Sequence, residues 1–562
     1  MSTTGTPNRA DAEQLAATYQ SSRYREIDRL ERYVDGSIYD GRPDFFNPGT
    51  DTPLLERKPC IVYPAVEIAI GSHADLVLGE GRWPLIKVRR TKAISEDTAK
   101  NLETLIGQIV EGAELRSSMR EGLEAAMGER STAFLCCVRD GELDVEVIES
   151  KTCTVTLDRN GKVAKLVVEY PFVEERRIPG IGVRFFAMLY RREIDAQKDT
   201  VFQPWELRTE ADTPTWTPDP EKSVEHNLGF CPVVWYAYLP KKRTVATVDG
   251  RAIHEKLTDE IDAMNIGLSQ RTRAAHFAGD PQMWEAGVEE DENPAPSGVF
   301  TAAPVILDEN GRPYIARRAG MGRKKGAGTV WRYRSIDAKV GMLTLPGDAL
   351  TAVDNHCKDL VGKVERALRY VRIDTDKAKQ GTDVSGRALE LLYKPQVDYG
   401  NRIREDFGEH GLQAVLSMLL RVAMRAEANA AGSVYIDGLA ELVGTLAGFE
   451  REVVNRAKRW MPPALDLAWG PMFADTTADI AQKVTAAKDA QTGKLISSKT
   501  AVQAVAPLFG VSDIEAEIQA IEDEEPEETE QPPPMNPNQG KEPGEENESP
   551  PSGENGEGEP AS

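Results

Sequence analysis

The sequence predicts an α+β protein, mostly helical, on three observations. Apolar residues recur at three- and four-residue spacing on both sides of a central region, as one face of a helix requires. Between 132 and 239 the pattern changes to alternating runs rich in β-branched and aromatic residues. Beyond 522 the chain turns to proline and acid, with almost nothing large and apolar to bury. A chain of 562 residues exceeds one simple core, so several domains are expected.

A first helix is expected over 9–34, with Leu15, Tyr19, Ile27, Leu30 and Tyr33 roughly on one face and Gly36 as the stop. An apolar segment at 61–78 reads as helical despite Pro64, and 96–127 as further helix. The β region contains runs at 134–138, 143–148, 165–170, 183–189 and 233–238. Asp140-Gly141 and Asn160-Gly161 stand between such runs as hairpin signals.

Helical spacing returns at Arg251, where Ile253, Leu257, Ile261, Met264 and Leu268 make a stripe that ends near Gly279-Asp280-Pro281. The stretch 294–345 is rich in Gly, Pro and short β runs. Its basic residues Arg312, Arg317, Arg318, Arg323, Lys324, Lys325, Arg332, Arg334 and Lys339 face only Asp308, Glu309 and Asp337. Pro346-Gly347-Asp348 opens another helix, striped by Leu350, Val353, Cys357, Leu360, Val361, Val364, Leu368 and Val371.

A polar break at 372–386 carries Asp374, Asp376, Lys377, Lys379, Gln380 and Gly381. A long helix is expected over about 387–425, with Pro395 inside it as a kink, because proline lacks the N–H and crowds the preceding turn. Further helices are expected within 441–521, and a disordered acidic tail over 522–562.

The total charge of −23 is unevenly spread. The tail holds fourteen acids against Lys541, a net of −13, which leaves −10 for the rest of the chain. A mildly acidic body would not grip a polyanion, since affinity follows the number of phosphates neutralised, but it could let one slide past. No apolar run reaches membrane-helix length; the richest, 412–424, is interrupted by Arg421. The polar N-terminus has no signal-peptide pattern, so a soluble, intracellular protein without membrane contact is expected. Cys60, Cys136, Cys137, Cys153, Cys231 and Cys357 show no CxxC spacing and the histidines are scattered. No metal site is therefore expected, and the thiols are expected to be reduced.

Catalytic patterns are missing as well. Gly493-Lys494 is followed by Leu495 and has no glycine five positions earlier, so it cannot form a phosphate-binding loop. Gly180-Ile-Gly182 and Gly320-Met-Gly322 lack the third glycine of a dinucleotide fingerprint. No GxSxG elbow or HExxH helix occurs, and the acidic run at 289–292 reads as solvated charge. A protein without enzymatic activity or cofactor is expected.

One set of motifs points to a family. His226-Asn-Leu-Gly-Phe-Cys-Pro-Val-Val, Asp262-Ala-Met-Asn and Phe277-Ala-Gly-Asp-Pro come in that order. Leu345-Pro-Gly-Asp-Ala, Ser385-Gly-Arg-Ala-Leu-Glu-Leu and a long helix with Gly411-Leu follow them. Their order and spacing resemble the siphophage-type portal proteins of tailed double-stranded DNA phages.

The resemblance implies a wing (1–248), a stem helix (251–279), a clip (280–345) and a second stem helix (346–371). A tunnel loop (372–386), a long kinked helix (387–433) and a crown (434–521) would complete the subunit. It further implies a ring, typically of twelve subunits, at one capsid vertex, assembled in the host cytoplasm. The ring would bind terminase and later a head-completion adaptor or tail proteins. Its wings would meet major capsid and scaffolding proteins, and double-stranded DNA would pass through its channel.

From the residues themselves, the two striped helices could close such a ring if each packed against its neighbour's stripe. The basic insert reads either as a collar near the DNA entrance or as a protein-docking surface. The alternatives are another structural head component, such as a head–tail adaptor or minor capsid protein, and a packaging-motor enzyme, which would need a nucleotide site.

Overall fold

The computed structural model describes residues 9–47, 52–90, 96–139, 142–179, 182–209, 213–240 and 248–279. It further describes 282–286, 305–307, 313–315, 339–343, 347–371, 393–428, 464–470, 472, 477–506, 518–519 and 521. These residues form a mixed α and β structure, about half helical, whose named strands all pair antiparallel. The chain divides into Met1–Ala474 and Asp475–Ser562.

The first unit begins with two helices where one was expected, α1 (Arg9–Thr18) and α2 (Ser22–Val34). Ser21 breaks them apart: its hydroxyl accepts the Tyr24 amide at 3.0 Å and caps α2. Gly36 sits just beyond α2 with φ 78°, the left-handed conformation that glycine adopts without strain. In α3 (Ala65–Leu78) Pro64 stands at the N-cap, so the helix starts after it and 61–64 are not helical. After β1 (Leu85–Val88) the expected helix at 96–127 is also two, α4 (Glu96–Gly112) and α5 (Leu115–Glu129), separated at Glu114, whose φ is 45°.

The strands lie where the alternation places them. β2 (Ser131–Arg139) and β3 (Glu142–Glu149) pair across 140–141, with Arg139 opposite Glu142. β4 (Cys153–Leu157) joins β5 (Val163–Ile178) through the Asn160-Gly161 turn, and β5 pairs along its length with β6 (Gly182–Ile194). β7 (Lys198–Val201), β8 (Trp205–Glu206) and β9 (Val224–Glu225) extend this sheet. β10 (Val233–Ala237) instead pairs with β2, giving a three-stranded sheet β10-β2-β3. α1 lies on the long β5–β6 hairpin, burying Ala12 and Ala16 against Ala187 and Leu189. α5 packs on β2 so closely that a Cβ on Gly122 would come within 2.3 Å of the buried Phe134 ring.

α6 (Thr258–Gly279) begins seven residues later than the stripe predicted. The preceding turn is held by tertiary bonds, from the Ile253 amide to the Met127 carbonyl at 2.9 Å and from His254 Nε2 to the Leu30 carbonyl at 2.9 Å. Local spacing cannot reveal such partners. β11 (Gln282–Ala286) follows, then a short pair of β12 (Val305–Leu307) and β13 (Pro313–Ile315). β14 (Lys339–Leu343) then pairs back on β11, and α7 (Gly347–Ala367) comes next.

α8 (Lys394–Phe407) continues through a π turn at Gly408–Leu412 into α9 (Gln413–Ala428). Residues 387–392, which would precede the kink expected at Pro395, lie outside the described residues. Pro395 stands in the first turn of α8, where a missing N–H costs nothing because it has no intrahelical acceptor. The departure from α geometry lies at the π turn. β15 (Leu465–Ala468) pairs with β1, a strand inside the stretch expected to be helical; Leu465 is buried in the main core. That core gathers α3 to α9, β2 and β10 around residues such as Ile106, Met119, Phe134, Tyr236 and Phe407.

The second unit, in its described residues, contains α10 (Thr477–Thr492) and α11 (Ser498–Val505). Ser497 caps α11 by accepting the Thr500 amide at 3.2 Å.

Candidate functional site

The α6–α7 pair and its two ends carry the features that the sequence singled out. The helices run antiparallel, because the contacts ascend on one as they descend on the other. Arg271 pairs with Asp354 at 3.0 Å, and the Cys357 thiol donates to the Gly267 carbonyl at 3.3 Å. Gly267 permits the close seam: a Cβ there would come within 3.3 Å of Leu360. Cys357, Val364 and Leu368 are buried, and Ile261 and Met264 are buried in the same core. The two stripes thus meet within one chain, with Leu257, Leu268, Leu360 and Val361 only partly buried there. α7 also carries two charge pairs, Asp354–Lys358 beside the α6 seam and the exposed Asp359–Lys363.

One end of the pair leads into the β11–β14 ribbon, with Gln282 opposite Leu343. The expected contact residues Arg312, Arg317, Arg318, Arg323, Lys324, Lys325, Arg332 and Arg334 lie outside the described residues. At the opposite end α7 stops at Arg369, whose φ is 57°, and the Tyr370 amide reaches back to the Glu365 carbonyl at 2.9 Å. A helix of α7's 21 residues is about 30 Å long, which separates the two ends by that distance.

The chain leaves this second end at Val371 and returns at Tyr393. The residues between, including Asp374, Asp376, Lys377, Lys379 and Gln380, lie outside the described residues. Both borders are pinned to the same place. The Val371 amide donates to Gln396 Oε1 at 3.3 Å, and Gln396 Nε2 donates to Ser72 Oγ at 2.8 Å. His73 Nε2 lies 3.0 Å from the Leu368 carbonyl and so carries the proton. Burial lowers the His73 pKa, against the pull of that bond. The Arg369 guanidinium lies 4.9 Å over the Tyr399 ring, which also packs edge-on against His73.

The remaining polar contacts tie the pair to the rest of the unit. Asp262 accepts the hydroxyls of Tyr39 at 2.6 Å and Tyr33 at 3.1 Å. Burial first, and then that Asp262 bond, raise the Tyr39 pKa, so the phenol stays a donor. Asn265 accepts the Tyr63 amide at 2.9 Å, and the Tyr63 hydroxyl crosses to Glu365 on α7 at 3.0 Å. On α8 the Tyr399 hydroxyl meets that of Tyr238 at 2.8 Å, and Asp406 accepts from Tyr236 at 2.9 Å. Arg404 is buried, donating to the Gly470 and Leu76 carbonyls under the Trp469 ring. Burial pulls its pKa down to about 10, with Arg82 nearby adding to the effect.

Sequence reasoning missed Gln396 and His73. Each is a polar residue on an otherwise apolar helix face, and that is the only signal that could have marked it. Among the described residues no cluster of His, Cys, Asp and Glu is placed to hold a metal ion. No described helix is long and apolar enough to cross a membrane. No family model matches the chain, and no curated protein matches it.

Proposed function

We propose that this chain is the portal subunit of a tailed double-stranded DNA phage, a non-enzymatic ring component through which the genome passes. One observation carries the reading: an antiparallel helix pair with a β insert at one end and, at the other, an excursion whose two borders are anchored together. That is the helix–insert–helix–loop–helix order on which the resemblance to portal proteins rests. In this reading the insert is the clip that docks terminase and later the adaptor or tail proteins. The excursion is the tunnel loop, and its Lys377 and Lys379 touch passing phosphates briefly while Asp374 and Asp376 limit sticking.

In this reading contacts between neighbouring subunits draw on the partly exposed stripe residues and on exposed charges such as Asp359 and Lys363 of α7. Ring formation is then sensitive to ionic strength, since exposed pairs are screened. The test is negative-stain microscopy with light scattering on the purified chain. Rings with a central channel, formed without nucleic acid, are expected. A chain that stays monomeric across micromolar concentrations and a range of salt overturns the proposal. Charge reversal at Arg323, Lys324 and Lys325 should spare the rings and weaken docking of the motor or entry of DNA.

A further inference from the structure

A buried carboxylate sits in the first unit without a cation of its own among the described residues. Glu129 is the last residue of α5 and only 7% exposed. Its Oε2 accepts the Ser150 amide at 3.1 Å and the Ser150 hydroxyl at 3.3 Å. Among the described residues every nearby cation is engaged by another acid. Lys151 Nζ pairs with Glu31 at 2.5 Å and Glu149 at 3.3 Å. Arg130 pairs with Glu26 at 2.7 Å and Glu255 at 3.0 Å, and Arg23 pairs with Asp249 at 2.7 Å.

The other surroundings are also hostile to negative charge. A helix C-terminus carries unsatisfied carbonyls and disfavours an anion. A cavity of about 560 Å³ beside Glu129 is lined by Glu31 from α2, Glu67 from α3 and Glu124 from α5. Among the described residues, Tyr24 and Asp28 of α2 and the Cys153 thiol also lie at this corner.

We propose that the corner where α2 packs on the end of α5 and the turn Ser150–Thr152 is a proton-operated switch. With Glu129 protonated the corner is closed; its ionisation places an unpaired charge there and loosens α2 from the turn. Burial, then Glu31 and Glu149, push the Glu129 carboxyl up to about 7, against the weaker pull of Lys151 and the Ser150 amide. The sign follows from linkage. A carboxyl raised in the folded state contributes stability that is fully present below its unfolded value and is lost as pH rises through the folded value. The window therefore runs from about 4.5 to about 7. The proposal is independent of the portal reading, since it concerns one chain.

The experiment follows thermal unfolding of the full chain at about pH 5 and about pH 8.5 for wild type, Glu129→Gln and Glu149→Gln. Glutamine keeps an acceptor for Ser150 and removes the charge. Glu129→Gln should melt with wild type at the lower pH and several degrees above it at the higher. Amides of α2 and of 150–152 should gain hydrogen-exchange protection at the higher pH in the variant only. Glu149→Gln, at an exposed neighbour, should move the wild-type midpoint to lower pH. A Glu129→Gln effect equal at both pH values, or destabilising at the higher one, overturns the switch. Should Glu129→Gln not fold, wild-type exchange at this corner still decides. A rate that, corrected for intrinsic chemistry, does not change with pH and does not respond to Glu149→Gln overturns it equally.

Discussion

The side-chain oxygen of Gln396 accepts the backbone amide of Val371 across 3.3 Å, so the chain leaves α7 and enters α8 at one point. The same side chain holds Ser72, which fixes that point to α3. The covering body is thus closed beneath residues 372–392, whatever those residues do.

Replacing 372–392 with a Gly/Ser linker of about six residues should therefore leave the melting temperature of the chain nearly unchanged, because the borders already meet and such a linker spans about 20 Å. Gln396→Ala should do the opposite. It strands the half-buried Val371 amide and Ser72 hydroxyl, at a cost of about 1 kcal/mol in urea unfolding. A linker variant that melts far below wild type would show that the segment carries packing of its own.

Leu360→Asp separates the two possible uses of the α7 stripe. Leu360 packs on the Gly267 seam within the chain, so the substitution should destabilise the isolated subunit by roughly 2–4 kcal/mol. If the subunit melted normally and only assembly were lost, the stripe would belong to a contact between subunits after all.

His254 gives the fold an acid limb. Burial lowers its pKa to about 4, and its Nε2 is tied to the Leu30 carbonyl. A histidine depressed in the folded state contributes stability that is present above its unfolded value, about 6.5, and is lost as pH falls through the folded value. The full loss is roughly 3 kcal/mol. Glu129 acts in the reverse direction over an overlapping window, so the wild-type profile should be flatter than either alone. Glu129→Gln should uncover the histidine limb, measured as a melting temperature that falls more steeply below about pH 6.5 than in wild type.

Deleting Glu409, an exposed residue in the π turn, would restore regular α geometry and leave α9 nearly in phase with α8, because the wider turn holds one extra residue. The buried residues come in pairs spaced by four, at Ile403-Arg404, Phe407-Gly408, Gly411-Leu412, Val415-Leu416 and Leu419-Leu420. An ideal helix of 3.6 residues per turn cannot keep such a row on one side, and the π turn takes up the excess. The deletion should therefore keep Val415, Leu416 and Leu419 facing the core and preserve cooperative unfolding by circular dichroism near the wild-type temperature. Loss of cooperative melting would mean that the π turn does more than set the phase of α9.

Sequence periodicity by itself determined the class and much of the layout. The alternation at 134–138 and 143–148 found β2 and β3, Asn160-Gly161 found its hairpin, and Gly279 marked the end of α6. These signals are local: the side chain that faces the core and the turn that the backbone can make are set by neighbours a few residues away. Helix limits were less legible. Ser21 and Glu114 split helices that spacing alone had joined, because a cap or a left-handed residue interrupts the backbone without interrupting the apolar face. The first-turn place of Pro395 in α8 goes with Tyr393 as its cap and with Gln396 reaching Val371 and Ser72, partners that spacing cannot show.

The rest was decided by tertiary structure. A stripe shows that a face is buried but not against what, so only the fold could assign the α6 and α7 stripes to one another. The anchoring by His73 and Gln396, the strand at Leu465–Ala468 and the cation-free burial of Glu129 all join residues far apart in the chain. Their energies depend on desolvation and on partners brought in by folding, and no window of neighbouring residues contains that information.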